Sequence, residues 1–151
     1  MSIYILQLKS DKYYIGSSNN FLSRINDHFT GNGSEWTKLY SPIAVINIIN
    51  SISMFDEDNI TKEHMMKYGI DNVRGGSYSN IILSKEQISC LNREFDTILK
   101  RCFRCHRTSH WTKQCYAKTY EDGSLINENL CDYLCICLEG IIIKKEQQLI
   151  R

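Results

Sequence analysis

Cys102, Cys105, His110 and Cys115 stand in the pattern C-x2-C-x4-H-x4-C. Three soft thiolates and one imidazole suit a tetrahedral Zn²⁺, and four protein ligands leave the ion no open position for chemistry. The expected metal is therefore structural, folding a segment too short to bury a core of its own. The chain has seven cysteines in all, the others being Cys90, Cys131, Cys135 and Cys137. An odd count, close local spacing and an opening that is no secretory signal favour metal ligation over disulfides. Cys131, Cys135 and Cys137 lack a fourth ligand nearby and read as buried reduced thiols on an amphipathic segment.

The cluster coincides with a basic block. Lys100, Arg101, Arg104, Arg107, Lys113 and Lys118 fall between positions 100 and 118 with no acidic residue among them. Such a block supplies the phosphate-contact part of nucleic-acid affinity. Phe103 and Trp111 are candidates for stacking on unpaired bases, a contact of roughly 1–3 kcal/mol per base. The alternative is that both pack beneath the metal loop as a small core. The spacing and Phe103 resemble the retroviral-type CCHC zinc knuckle, with His106 and Ser109 at two positions that are usually glycine there. Phe103, Arg104, Arg107, Trp111 and Lys113 are thus the expected nucleic-acid contacts.

A second set of residues lies at the other end of the chain. Ile3-Tyr4 is followed by Tyr14-Ile15-Gly16, ten residues from tyrosine to tyrosine, and the stretch continues as GSSNNFLSRINDHF with Arg24 and His28. These residues resemble the paired motif and following helix of the GIY-YIG nucleases, with Ser2 in place of the first glycine. KEHMMKYGIDNVRGGSYS is similar to a variant in uncharacterised nucleases of large DNA viruses that also carry a C-terminal knuckle. The resemblance spans roughly residues 2–120. It implies a metal-dependent endonuclease acting on DNA, with RNA as the other possible substrate. It also implies that Glu63 is the carboxylate holding Mg²⁺ or Mn²⁺, and that Tyr4, Tyr14, Arg24, His28 and an asparagine complete the site. Asn72 is the candidate asparagine and Asn80 the spare.

Those residue types suit the chemistry. Phosphodiester hydrolysis needs an activated water, neutralised phosphoryl oxygens and help for the leaving oxygen. A lone carboxylate is a typical anchor for Mg²⁺, which keeps most of its waters. Arg24 stays protonated and offers a forked donor set for the scissile phosphate. Tyr4 and Tyr14 can orient or deprotonate water, and by resemblance Tyr4 is the better base. His28 can assist proton transfer or hold phosphate. Each has a plain structural alternative: Glu63 as a surface partner of Lys67 at i, i+4, the tyrosines as core, His28 as packing at the core edge.

The elements that must position these groups follow from patterning. Ile3–Leu8 and Tyr13–Gly16 are β-prone around a Lys9-Ser10-Asp11-Lys12 turn, which predicts a hairpin. A three-residue loop, with Lys9 facing Tyr13, puts Tyr4 and Tyr14 on one sheet face; a two-residue loop separates them. Ser18-Asn19 offers a helix start. Phe21, Leu22, Ile25 and Phe29 form its apolar stripe, with Arg24 and His28 along one edge. Residues 42–49 read as a strand apolar enough to be central, and 56–68 as a second helix with an acidic N-terminus. Ser84-x-x-Gln87 is a capping box opening a third helix with Ile88, Leu91, Phe95, Ile98 and Leu99 at helical spacing.

The order predicts an α/β (α+β) fold: a small, mixed, largely antiparallel three-stranded sheet flanked by helices, with the knuckle appended. The expected divisions are a nuclease domain over 1–83, a connecting helix over 84–100, the knuckle over 101–116 and a tail over 117–151. The chain has 151 residues, 42% hydrophobic and 23% charged, with a net charge of +1. That is ordinary for a soluble globular protein. Neither the first residues nor Ile141-Ile142-Ile143 approach the roughly 20 apolar residues of a membrane span. The expected setting is intracellular, or an infected host cell if the viral resemblance holds. Two other readings stay open: a nucleic-acid-binding protein that keeps the fold without cleavage, and a protein-interaction module.

Overall fold

The computed structural model describes residues 1–50 and 53–126. Its elements are β1 (Ser2–Leu8), β2 (Lys12–Ser18), α1 (Phe21–Phe29), α2 (Glu35–Leu39), β3 (Pro42–Asn50), α3 (Asp56–Tyr68), β4 (Val73–Gly75) and α4 (Lys85–Ile98). Short 3-10 turns occupy Ile70–Asn72 and Thr112–Gln114. The chain divides into two compact units, Met1–Leu91 and Asn92–Arg151, with the boundary inside α4. Among the described residues, no helix is long and apolar enough to cross a membrane. Cys131, Cys135, Cys137 and the greater part of the expected tail lie outside the described residues.

The hairpin closes through the three residues Lys9, Ser10 and Asp11, with Leu8 opposite Lys12 and Leu6 opposite Tyr14. Of the two loop lengths left open this is the three-residue one, with the pairing displaced from Lys9–Tyr13 but of the same parity. Tyr4 and Tyr14 therefore share a face. Ser10 and Asp11 both take left-handed backbone, at φ 59° and 54°, a conformation that short polar side chains tolerate better than most.

Two expectations are corrected. Among the described residues the sheet has four strands in the order β3-β1-β2-β4, with β4 parallel to β2 and the other pairs antiparallel. The additional strand, Val73-Arg74-Gly75, is too short to show a periodic pattern. The strand expected to be central, β3, is instead an edge strand, and Ile43, Val45, Ile46 and Ile48 are each exposed. An unbroken apolar run is compatible with burial on both faces but does not demand it. Pro42, at its first position, is tolerated at such an edge.

Tyr4, Leu6, Leu8 and Tyr14 bury against Trp36 of α2, with Phe21 and Ile25 of α1 closing the cluster. Ile3, Ile5 and Ile15 alternate to the other face, also buried. The stripe on α1 is rotated from the one expected: Leu22 and Phe29 are exposed, and His28 is the helix's buried residue. The capping box at α4 forms, with Ser84 N–H donating to Gln87 Oε1 and Gln87 N–H to Ser84 Oγ.

Arg74 of β4 ties this unit together. Only 4% exposed, it donates to the carbonyls of Ile70, Val73, Asn80 and Ile81. Its guanidinium also lies 4.6 Å from the ring of Trp36. A planar five-donor head can satisfy several buried carbonyls at once, which lysine cannot. Arg74→Met should lower the stability of the chain by about 2–4 kcal/mol, because those carbonyls lose their donors. Urea unfolding measures this, and an unchanged midpoint would refute the structural role.

Candidate functional site

The first group of residues converges on the Tyr4 phenol. Tyr4 is 1% exposed and His28 equally buried, and the phenol oxygen lies 2.9 Å from His28 Nε2. On the other side of the ring, His28 Nδ1 lies 2.8 Å from Thr37 Oγ1. The Tyr14 ring stands 4.8 Å from His28 and 6.5 Å from Tyr4, centroid to centroid. This packing depends on glycine at Gly16, where a Cβ would collide with the Tyr4 hydroxyl end and press on Tyr14. The glycine of the second motif is there so that the phenol can cross it.

Burial chiefly pushes the Tyr4 phenol well above its usual range, with neighbouring Tyr14 and the charge of Glu57 adding, while Arg24 opposes by charge and hydrogen bond. Tyr14 is raised in the same way by burial, with Glu57 adding and Ser34 and Arg24 opposing. His28 is driven down to about 4, first by burial and then by the Arg24 charge. At neutral pH both phenols are therefore protonated and the imidazole is neutral. Arg24 itself is partly exposed beside Asp27, 3.7 Å away.

The carboxylate facing this group is Glu57. Its Oε2 accepts from Ser17 Oγ at 2.5 Å and its Oε1 from the Gly76 N–H at 3.1 Å. One turn apart on α3, Thr61 and Met65 are buried, so positions 57, 61 and 65 make the inward stripe. Glu63 lies two residues from both Thr61 and Met65, about 200° around a helix of 3.6 residues per turn. It is exposed. The geometry expected of Glu63 is thus supplied by Glu57. The sequence reading missed Glu57 because it sits in the acidic first turn, Asp56-Glu57-Asp58, where acids also serve the helix dipole. Nothing in the sequence of α3 by itself separates Glu57 from Glu63; the packing of the helix against β2 does.

Asn72 is placed elsewhere. Its Oδ1 accepts from Lys12 Nζ at 2.7 Å and its Nδ2 donates to the Tyr68 carbonyl at 2.7 Å. It pins the end of α3 to the start of β2, at the opposite end of that strand from Ser17. Asn80 offers its carbonyl to Arg74.

In the second unit, the ligand atoms of Cys102, Cys105, His110 and Cys115 all lie within 4.8 Å of one another. Such a Cys3His group can hold a metal such as zinc. Ser109 Oγ lies 3.0 Å from His110 Nδ1, which leaves Nε2, 3.4 Å from Cys105 Sγ, as the ligand atom. The small core beneath is Cys102, Cys105 and Ile126, with Ala117 and Tyr120 packed on it. Phe103 and Trp111 are not in it, being 45% and 61% exposed. Arg104 and Arg107 are committed to the fold: Arg104 donates to the Cys115 and Ala117 carbonyls, Arg107 to Thr119 Oγ1 and the Tyr120 carbonyl. Lys113 is exposed, as is Tyr116, an aromatic the sequence reading passed over.

The family comparison meets this geometry. Residues 1–73 match the GIY-YIG catalytic domain. The matched stretch holds Tyr4, Tyr14, Arg24, His28 and Glu57, and a GIY-YIG domain implies nuclease activity in general. No curated protein and no solved structure gives a significant match. The GIY-YIG domain and the Cys3His cluster occupy separate parts of the chain.

The buried His28 makes stability pH-dependent. Below the ordinary imidazole value of 6.5 the unfolded chain takes up a proton that the folded chain refuses until about pH 4. Stability from this residue is complete above about pH 6.5 and falls as the pH drops toward 4, by about 3 kcal/mol in total. Urea unfolding at several pH values should show this slope and its loss in His28→Gln; an equal slope in the variant would place the titration elsewhere.

Proposed function

We propose that this protein is a divalent-metal-dependent endonuclease that hydrolyses phosphodiester bonds of DNA, with a zinc knuckle assisting its grip on nucleic acid. The observation that carries the reading is the Glu57 carboxylate, held by Ser17 and Gly76 where its charge acts on both buried phenols.

Glu57 suits a hard cation. Each oxygen has one hydrogen-bond donor, which fixes its direction and leaves lone pairs free. A single anchoring carboxylate is enough for Mg²⁺ or Mn²⁺. When bound, that ion neutralises charge on the phosphoryl oxygens and supplies an activated water. Arg24 donates to the non-bridging oxygens of the scissile phosphate, where negative charge gathers during attack. Tyr4 and Tyr14 orient the attacking water between phosphate and carboxylate. As general base Tyr4 would take the water's proton on its oxygen while passing its own hydroxyl proton to His28 Nε2, 2.9 Å away.

The knuckle reading rests on exposure. Phe103, Trp111 and Tyr116 present rings, and Lys113 a charge, on a scaffold held by four ligands. Rings of this kind stack on unpaired bases whatever their sequence. Arg104 and Arg107 act mainly by keeping that scaffold closed.

Two experiments follow. Plasmid nicking in Mg²⁺ or Mn²⁺ should fall at least about a hundredfold in Glu57→Gln and stay within about twofold of wild type in Glu63→Gln. The reverse ranking, or no cutting by wild type, would sink this assignment. Trp111→Ala should weaken binding of single-stranded DNA by about 1–3 kcal/mol, measured by fluorescence anisotropy, with zinc content unchanged; undiminished affinity would remove Trp111 from the interface.

A further inference from the structure

The contacts around His28 determine more than its burial. Thr37 has one hydroxyl proton, and its Oγ1 donates to the Ser34 carbonyl at 2.9 Å. The same oxygen is 2.8 Å from His28 Nδ1; with the hydroxyl proton committed to the carbonyl, which can only accept, the proton between Thr37 and the ring comes from the ring. His28 is neutral at pH 7, and a neutral imidazole carries one ring proton. Nε2 is then a bare lone pair facing the Tyr4 hydroxyl at 2.9 Å.

The other end of the chain of contacts agrees. Arg24 can only donate, and its positive charge acts on the Tyr4 phenol. The buried Tyr4 proton needs an acceptor of its own, and His28 Nε2 supplies one. Gly33 allows this close approach, since a Cβ there would strike both His28 Nδ1 and Thr37 Oγ1.

We propose that Thr37 is a positioning residue: by accepting the Nδ1 proton it sets the His28 tautomer, and thereby turns the Tyr4 oxygen toward the site as a hydrogen-bond acceptor. With the opposite tautomer, Nε2–H would donate to the Tyr4 oxygen, and the phenol would aim its proton into the site. A phenol that accepts can hold and orient an attacking water by its hydrogen; one that donates would meet that water the wrong way round. The catalytic consequence rests on the nuclease reading, whereas the tautomer does not.

The test is ¹⁵N NMR of the imidazoles at pH 7, with the His28 signals assigned by their absence in His28→Gln. Wild type should show a protonated Nδ1 and a lone-pair Nε2 at His28. Thr37→Ser keeps the hydroxyl and should keep both signals. Thr37→Val replaces it by a methyl group and should move the proton to Nε2. In plasmid nicking, Thr37→Val should then lower kcat about ten- to a hundredfold with KM little changed, and Thr37→Ser should recover most of it. A proton on Nε2 in wild type overturns the proposal even if Thr37→Val fails to fold, and so does a Thr37→Val tautomer identical to wild type. The expected tautomers in a protein that cuts nothing would uphold the positioning role and refute the nuclease reading instead.

Discussion

A phenol and an imidazole sealed from water have to satisfy one another, and much of the first unit is arranged around that requirement. Tyr4 comes from the first strand of the sheet and His28 from the last turn of α1. Their bond fixes how α1 lies on the sheet. An unpaired buried hydroxyl or ring nitrogen would cost on the order of 1–3 kcal/mol, so neither residue can be packed independently of the other. Two backbone positions give way to admit them: Gly16 under the Tyr4 hydroxyl and Gly33 beside the His28 ring. The same burial that makes the pair structural also keeps the phenol protonated and the ring neutral. Fold and reactivity here have one cause.

The carboxylate side of the site has a different logic. The first turn of α3 carries three acids, and two have separate tasks. Glu57 bonds Ser17 and the Gly76 N–H; Asp58 bonds the Ser77 N–H and hydroxyl at 2.8 and 2.7 Å. Together they hold the chain leaving β4 against the start of α3. Arg74 anchors the same stretch at Asn80 and Ile81. Donors from a hydroxyl and a backbone N–H hold the Glu57 carboxylate in place without a competing positive charge.

In the second unit the loop carrying the Cys3His cluster bends at a residue that is not glycine. His106 takes left-handed backbone at φ 61°, a conformation that costs a residue with a Cβ. The side chain offsets that cost: Nδ1 lies 2.6 Å from Asp96 Oδ2, and the ring stacks on Tyr120 at 5.3 Å. Asp96 belongs to α4, so His106 also ties the loop to the helix before it. Arg104 and Arg107 add further ties to residues 115–120. The basic block therefore serves the fold in large part, which its charge count alone does not reveal.

Sequence alone determined the features that depend on neighbours in the chain. The ligand spacing from Cys102 to Cys115, the capping box at Ser84 and the extent of α3 are local, and local periodicity encodes them. Tertiary structure alone decided which of two glutamates six residues apart faces the tyrosines, because both lie on a well-formed helix and only its packing against β2 selects the inward side. It also decided that an apolar strand lies at the edge, that Asn72 binds Lys12 rather than joining the phenols, and that Thr37 stands behind His28. Each of these is a relation between segments distant in the chain, where the periodicity of one element carries no information about what it will meet.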